Sequence, residues 1–385
     1  MSKNEVEIAV IGGGIGGLSA AVLLNQAGYD AHVYEQAPVY LDIGGHLNID
    51  SYTIAVLARA GLEDAFRKMA CLCPEILIKK IDSGEEIMTV PFLDIGSLGV
   101  DAPDRMGTRV INSFMRSDLL DLLKRHIPEG KLHVDHKLIE LEGRENGAVA
   151  SFDNGEEVSA SIVIAADGVR SLARKKFDDV PATKGHYSIL RTSCAIDVVP
   201  EELRINKFLY WDGSEYGDLL KGEDGAALLT APVRNGTVLS LDLQFQGGDL
   251  FEDCDPLDIP LDRVMARYPE TLDPVVKDMI DSRLEPISAY PLYDRPVAEK
   301  WVEGRIVLLG DAAHSMRPYL AQGACQSIQD AGAILDAFSE FGLTHEALKS
   351  YEALRKPFTQ SIVEAARNAP SNPKVYKDID EAASL

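Results

Sequence analysis

The sequence predicts an α/β protein in which a parallel nucleotide-binding sheet is interrupted by an antiparallel sheet and closed by a C-terminal helix. Three observations carry this expectation. A strand, a glycine cluster, a helix and a second strand fit within residues 5–35. Residues 183–284 read as strands with few helical stretches. Two long segments at helical spacing follow, one stopped by Gly342 and one running to Asn368.

Glu5 to Ile11 alternates and then runs apolar, as a short buried strand does. Leu18 to Ala27 has helical spacing closed by Gly28, and Ala31 to Glu35 is a second strand. This is the β-α-β unit of a doubly wound sheet. Ser51 to Ala60 reads as a helix with Ser51 as N-cap and Gly61 just past its end. Beyond Pro74, two strand-like runs flank Asp82-Ser83-Gly84, and a loop rich in Pro, Gly and Asp follows to Gly107. Ser117 to His126 is helical. Ala148 to Phe152 and Glu156 to Ala160 flank Asn154-Gly155, a type I′ hairpin signal. Ser161 to Ala166 reads as a third buried strand and Ser171 to Phe177 as a helix.

Ala226 to Pro232 and Val238 to Phe245 belong to the antiparallel sheet. Arg305 to Leu309 returns to the parallel sheet, Gly323 to Phe341 is a long helix, and Pro357 should kink the helix from His345 to Asn368. The nucleotide-binding domain is therefore expected at 1–73, 107–182 and 285–342. The sheet domain is expected at 74–106 and 183–284, and a C-terminal helical segment at 343–385.

Composition narrows the partners. Lys plus Arg is 38 against 61 Asp plus Glu, a formal charge of −23. Such a surface repels phosphate backbones and anionic lipid, so neither nucleic acid nor a membrane is an expected partner. No apolar run approaches the ~18 residues of a membrane span, and the N-terminal residues lack the apolar core of a signal peptide. A cytoplasmic chain is expected, as a monomer or a homodimer. Five cysteines, at 71, 73, 194, 254 and 325, are odd in number and mostly far apart, which suits reduced thiols. Cys71-x-Cys73 has no second pair at ligand spacing, so no metal is expected.

Gly12-Gly13-Gly14-Ile15-Gly16-Gly17 satisfies G-x-G-x-x-G between a strand and a helix. Gly12 allows the tight turn, Gly14 admits a pyrophosphate to the backbone, and Gly17 lets helix and strand pack closely. Ile15 and Gly16 open the helix, whose N-terminus carries a partial positive charge toward the phosphates. Glu35, ending the second strand, can accept from ribose hydroxyls. This motif alone does not separate FAD from NAD.

Later segments do. Asp167-Gly168-Val169-Arg170-Ser171-Leu172-Ala173-Arg174 resembles the D-G-x-x-S-x-x-R segment of the class A flavoprotein aromatic hydroxylases. Gly310-Asp311-Ala312-Ala313-His314, then Pro318 and Ala321-Gln322-Gly323, resembles their G-D-A-A-H…P…G-Q-G. Tyr351-Glu352 with Arg355 and Pro357 resembles their Y-E-x-x-R-x-P. The likeness runs from about residue 5 to 360. It implies FAD as cofactor, with Asp167, Arg116, Gly310 and Asp311 around it and the backbone of Gln322, Gly323 and Ala324 facing the flavin ring. Asp311 also has a plainer reading, as a helix cap. Two positions depart from the family pattern: Ala321 replaces its usual glycine and Cys325 its usual asparagine. The Ala-Gln-Gly-Ala-Cys variant is similar to that of 6-hydroxynicotinate 3-monooxygenase and salicylate-hydroxylase-like members. The former carries histidines near Asn48, Tyr216 and Tyr319, so the likeness leaves the substrate open.

The resemblance implies a monooxygenase that uses NAD(P)H and O2 to hydroxylate a small electron-rich aromatic or N-heteroaromatic ring through a flavin C4a-hydroperoxide. Tyr319, Tyr216, Asn48 and His46 are the candidates for contacting the ring or taking its proton. Tyr319 as a core residue and Tyr216 as a surface residue are the plainer alternatives. His314 is expected to be structural. An FAD reductase or dehydrogenase without oxygen insertion, and a non-catalytic flavin redox sensor, are the rival functions.

Overall fold

The computed structural model describes residues 5–40, 45–91, 111–213 and 225–368. Its first sheet runs Val302–Glu303, Ile306–Leu308, Glu157–Ala165, Glu5–Ile11, Ala31–Tyr34, Leu132–His133. From Ile306–Leu308 to Leu132–His133 the neighbours are parallel. Strands buried on both faces must be apolar throughout, and Ile8, Ala9, Val10, Ile162, Val163 and Ile164 have no exposed surface. The helix Ile15–Gln26 buries every residue from Gly17 to Leu24 between this sheet and the helix Gly323–Phe341. Its small residues permit that double contact.

Several local expectations are corrected. The hairpin strand and the third buried strand are one element, Glu157–Ala165. Its first half pairs antiparallel with Gly147–Phe152 and its second half lies between parallel neighbours. The turn before it is not type I′, because Gly155 has φ +85° but Asn154 is not left-handed. The Asn154 side chain is held by its own bonds, accepting from Glu156 N–H and donating to Asp135 O. Consecutive left-handed residues occur instead at Arg234 and Asn235, joining Ala226–Val233 to Val238–Gln246. Asp50, not Ser51, caps the helix Ser51–Ala58, accepting from Thr53 N–H at 2.7 Å. Ser171 to Phe177 reduces to a 3-10 turn, Ala173–Lys176. The helix His345–Asn368 continues through Pro357.

The second sheet runs Ser288–Asp294, Thr183–Ala195, Val238–Gln246, Ala226–Val233, Phe208–Asp212, Glu75–Lys80, Glu86–Pro91. It is antiparallel except where Phe208–Asp212 meets Glu75–Lys80. Ser288–Asp294 falls within the stretch expected in the nucleotide domain, yet it pairs with Thr183–Ala195. One face, through Leu190, Leu209, Trp211, Leu228, Leu241 and Leu243, forms a core with the helix Pro274–Asp281. A third, unexpected sheet of three strands joins His46–Asp50, Ile111–Met115 and Cys71–Leu72. Among the described residues, no helix is long and apolar enough to cross a membrane.

Three segments meet at one buried carboxylate. Asp330, on the helix Gly323–Phe341, accepts from Gly310 N–H at 3.1 Å, His314 Nε2 at 2.6 Å and Arg355 Nε at 2.7 Å. Burial alone would raise this carboxyl. The charges and hydrogen bonds of His314 and Arg355 outweigh it and hold the group below its ordinary value. Tyr351 donates to Leu308 O at 3.2 Å and Glu352 accepts from Trp301 N–H at 2.7 Å, so Tyr351, Glu352 and Arg355 clamp the last helix to the first sheet.

Removing one partner of a buried ion pair strands the other. Arg355→Ala is therefore expected to lower the unfolding free energy by about 3–5 kcal/mol at neutral pH. A carboxyl depressed in the native state stabilises above its unfolded value, and that contribution fades as pH falls through the lower native value. The difference between Arg355→Ala and wild type should therefore shrink below pH 3.8, the ordinary value for this group. Urea titrations above and below that pH measure both effects.

Candidate cofactor and active site

The glycines of residues 12–17 divide by what surrounds them. A Cβ on Gly12, at φ +105°, would lie 2.4 Å from Ala166 O, and one on Gly17 would lie 2.0 Å from Gly12 O. Gly16 lies against Leu309 and Ser327. These three serve close packing. Gly14 is different: a Cβ there meets nothing within 4 Å. It is also the N-cap of the helix Ile15–Gln26 and supplies no side-chain cap, so the first-turn N–H groups and the helix dipole face open space. Glu35 accepts from Gly13 N–H at 2.6 Å and Ala37 N–H at 2.9 Å. Each carboxylate oxygen has two lone pairs, so a further hydroxyl can still donate to it. No motif singles out Tyr40, yet its buried hydroxyl, without a hydrogen-bond partner among the described residues, lies against Gly13.

Gly310 has φ +63°, and a Cβ there would lie 2.7 Å from Ser327 Oγ, so this position requires glycine. Gly310 is the N-cap of the short helix Asp311–His314, and Asp311 stands in its first turn. Asp311 keeps exposed surface, and neighbouring protein partly encloses its carboxyl. That enclosure raises the carboxyl above its ordinary value, against the pull of His314 and Arg116. Arg116 opens the helix Arg116–Arg125 and donates its N–H to Gly45 O at 3.1 Å. Arg116 and Asp311, far apart in sequence, thus face one site.

Gln322 is the N-cap of the helix Gly323–Phe341, and its buried side chain accepts from Gln326 at 2.9 Å. The space beside Gly323 is open to 3.9 Å, and Ala324 is half-buried. Ala321 adopts φ +54°, the left-handed region where the family usually has glycine. The Cys325 thiol donates to Asn48 O at 3.3 Å, and burial raises it well above its ordinary value, so it stays a thiol.

Asp167 spends its carboxylate locally. One oxygen accepts from Ser171 Oγ at 2.5 Å, the other from the N–H groups of Leu172 and Ala173. Its backbone lies beside Gly12. Arg174 is buried and ties the same segment to Asp178, Pro296 O and Ala312 O.

His46 and Asn48 lie on the strand His46–Asp50, in the packed interior. His46 donates its N–H to Ser240 Oγ at 3.0 Å, and its Nδ1 is 3.9 Å from Asp242 Oδ1. Burial lowers the His46 imidazole pKa; Asp242 raises it and Arg191 lowers it further. Asn48 Oδ1 is buried with no hydrogen-bond partner. Tyr216 and the Tyr319 side chain lie outside the described residues. Sequence reasoning missed Asp330, Asp242 and Arg191. For Asp330 a signal was present: Gln322, Gln326, Gln329 and Asp330 recur at helical spacing in an otherwise apolar helix.

A crevice at the carboxyl ends of parallel strands, with a glycine-rich helix N-terminus and a ribose-reaching acid, suits a dinucleotide. A family model described as an FAD binding domain matches residues 5–366. The chain belongs to that family of FAD-binding proteins. Among its relatives, 3-amino-4-hydroxybenzoate 2-monooxygenase of Streptomyces platensis is 30% identical, over 95% of this chain and 88% of that protein. The 6-hydroxynicotinate 3-monooxygenase of Pseudomonas fluorescens is 29% identical, over 92% and 88%. Among solved structures, Klebsiella pneumoniae HpxO complexed with FAD and uric acid superposes with a TM-score of 0.77 at 23% identity, over 98% of this chain and 91% of that one. It shows the shared fold. The protein is an FAD-dependent monooxygenase acting on a small aromatic substrate with O2.

Gly14 and the first turn after it would hold the FAD pyrophosphate, and Glu35 the adenosine ribose. Asp311 and Arg116 would hold the flavin end. Gly14→Val should fill the open face and abolish FAD retention, read from absorbance of the purified protein. Asp311→Ala removes a charge-assisted acceptor, so FAD should bind roughly ten- to a hundredfold more weakly, with the unfolding midpoint unchanged. A lower midpoint with full flavin occupancy would make Asp311 structural. Left-handed alanine costs about 1–2 kcal/mol, and glycine returns part of that as unfolded-chain entropy. Ala321→Gly should therefore stabilise by roughly 0.5 kcal/mol in denaturant titration.

Proposed function

We propose that the protein oxidises NAD(P)H and inserts one oxygen atom of O2 into a small ring acid carrying a hydroxyl or amino group ortho or para to the attacked carbon. The observation that supports this reading is that Arg116 lies near enough to Asp311 to act on its charge, at what we read as the flavin end of the crevice. The relatives named for hydroxy- and aminobenzoates and hydroxynicotinate support the substrate class. Bound FAD supplies the redox chemistry, taking reducing equivalents from NAD(P)H and activating O2. The chain's own residues orient the ring, exclude water and take a proton from its substituent, which makes the ring more reactive toward an electrophile.

His46 is the described candidate for that proton, since burial lowers its imidazole pKa and so favours the neutral form, which has a ring nitrogen able to accept. Tyr319, Tyr216 and Asn48 complete the proposed set around the ring. A cytoplasmic site of action fits the odd number of cysteines and the acidic chain.

The test is NADH and NADPH oxidation under 18O2 with a panel of hydroxylated and aminated ring acids. One 18O atom per product with substrate-stimulated oxidation is expected. Oxidation without label identifies a reductase, and no oxidation with either nucleotide leaves only a flavin-binding role. Tyr319→Phe should keep oxidation but release more H2O2 and less product.

A further inference from the structure

Three arginines of this acidic chain come together beside the candidate site. Arg170 follows the strand Glu157–Ala165, and Arg317 lies in the connection after Ile306–Leu308. Both strands run parallel to Glu5–Ile11, so both connections leave the edge from which the glycine cluster departs. Arg317 lies between Asp311–His314 and the helix opening at Gly323. Arg170 belongs to the segment whose Ala166 and Asp167 touch Gly12. The end of Ser288–Asp294, from the second sheet, reaches the same place. Asp294 pairs with Arg317 at 3.4 Å and with Arg367 at 3.0 Å. Tyr293 accepts a hydrogen bond from Arg170 Nη2, and the Arg170 guanidinium lies 4.6 Å from the centre of that ring.

Two guanidiniums, Arg317 and Arg367, therefore pair with the Asp294 carboxylate, and a third, Arg170, lies on the neighbouring Tyr293 ring. Asp294 is 13% exposed and largely covered by its partners, whereas Arg317 and Arg367 are about a third exposed and Arg170 is exposed. The neighbouring cations do not add to this set. Arg295 turns inward to Val180 O and Asp178, and Lys184 is neutralised by Asp249 and Glu252. Among the described residues, Arg170 commits one donor to Tyr293 and Arg317 one to Asp294, so each fork keeps N–H groups directed outward.

A chain of formal charge −23 repels anions at long range. A ring carboxylate or a dinucleotide must cross that field to reach the crevice. We propose that Arg170, Arg317 and Arg367, arranged around Tyr293 and Asp294, form an anion-collecting collar at the crevice mouth that binds a ligand oxyanion, carboxylate or phosphate. Planar guanidinium forks match both groups, with two parallel hydrogen bonds and a full charge. Asp294 orients Arg317 and Arg367, and the Tyr293 ring orients Arg170. The collar rests on the reading above, in which a ring acid and NAD(P)H are the ligands that approach.

The holoenzyme is titrated calorimetrically with NAD+, NADP+ and benzoate, at low and at raised NaCl, with no turnover required. Arg170→Gln/Arg317→Gln should weaken the binding of at least one of the three by roughly tenfold or more. Arg170→Lys/Arg317→Lys, which keeps the charge, should weaken it less. Salt should weaken wild type more than the glutamine variant. A loss confined to NADP+ identifies the 2′-phosphate, an equal loss with NAD+ the pyrophosphate, and a loss with benzoate alone the ring carboxylate. If wild type binds none of the three, or the glutamine variant binds as tightly as wild type, there is no collar. If binding depends on the arginines but neither NADH nor NADPH bleaches the flavin, the monooxygenase reading loses its reductant while the collar stands.

Discussion

Asp330 has no exposed surface, and its two oxygens accept from three donors on two stretches of chain, Gly310 N–H and His314 on one and Arg355 on the other. An uncompensated buried carboxylate would be strongly destabilising, so the donors must stay where they are. The rest of the crevice depends on that requirement. Gly310 is held at a left-handed φ against Ser327, which sends Asp311 into the cleft opposite Arg116. Arg355 also reaches Gln326 and Gln329, and Gln329 bonds Thr53, so the same network fixes the helix Ser51–Ala58 beneath the strand His46–Asp50.

The main architecture was legible because periodicity reports burial. Glu5–Ile11, Ala31–Tyr34 and Gly323–Phe341 appear where their apolar spacing placed them. Elements whose pairing is not local were not legible. Ser288–Asp294 has an alternation that suits either sheet, and its partner, Thr183–Ala195, lies about a hundred residues away. The three-stranded sheet joins Leu72 to Asn112 across a long intervening stretch. Asn154-Gly155 carried the stronger turn signal, yet side-chain bonds to Asp135 and Glu156 overrode it, and the left-handed pair formed at Arg234–Asn235.

The features that suit a dinucleotide, open backbone at Gly14 and a strand-end acid at Glu35, leave a sequence trace. The role of each side chain was less legible. Asp167, expected to serve the cofactor, also accepts three hydrogen bonds from its own turn, and the fully buried Arg174 braces that turn. Asp330 and Arg355 become intelligible only once the two helices are packed, because a buried ion pair looks like two ordinary charged residues in sequence. The charged face made by Arg191 and Asp242 behind Gly45 was hidden for the same reason.

The central claim is that the cofactor site is held in shape by the buried Asp330 carboxylate. The most direct test is the FAD dissociation constant of Asp330→Asn, measured well below its unfolding temperature alongside the urea midpoint. Asparagine keeps the shape but loses the charge that holds Arg355 and one of the acceptor oxygens. The account predicts a weaker FAD complex together with a lower midpoint, because Gly310 and Asp311 lose their anchor. A lower midpoint with wild-type FAD affinity would contradict it, since the crevice would then keep its shape without the carboxylate.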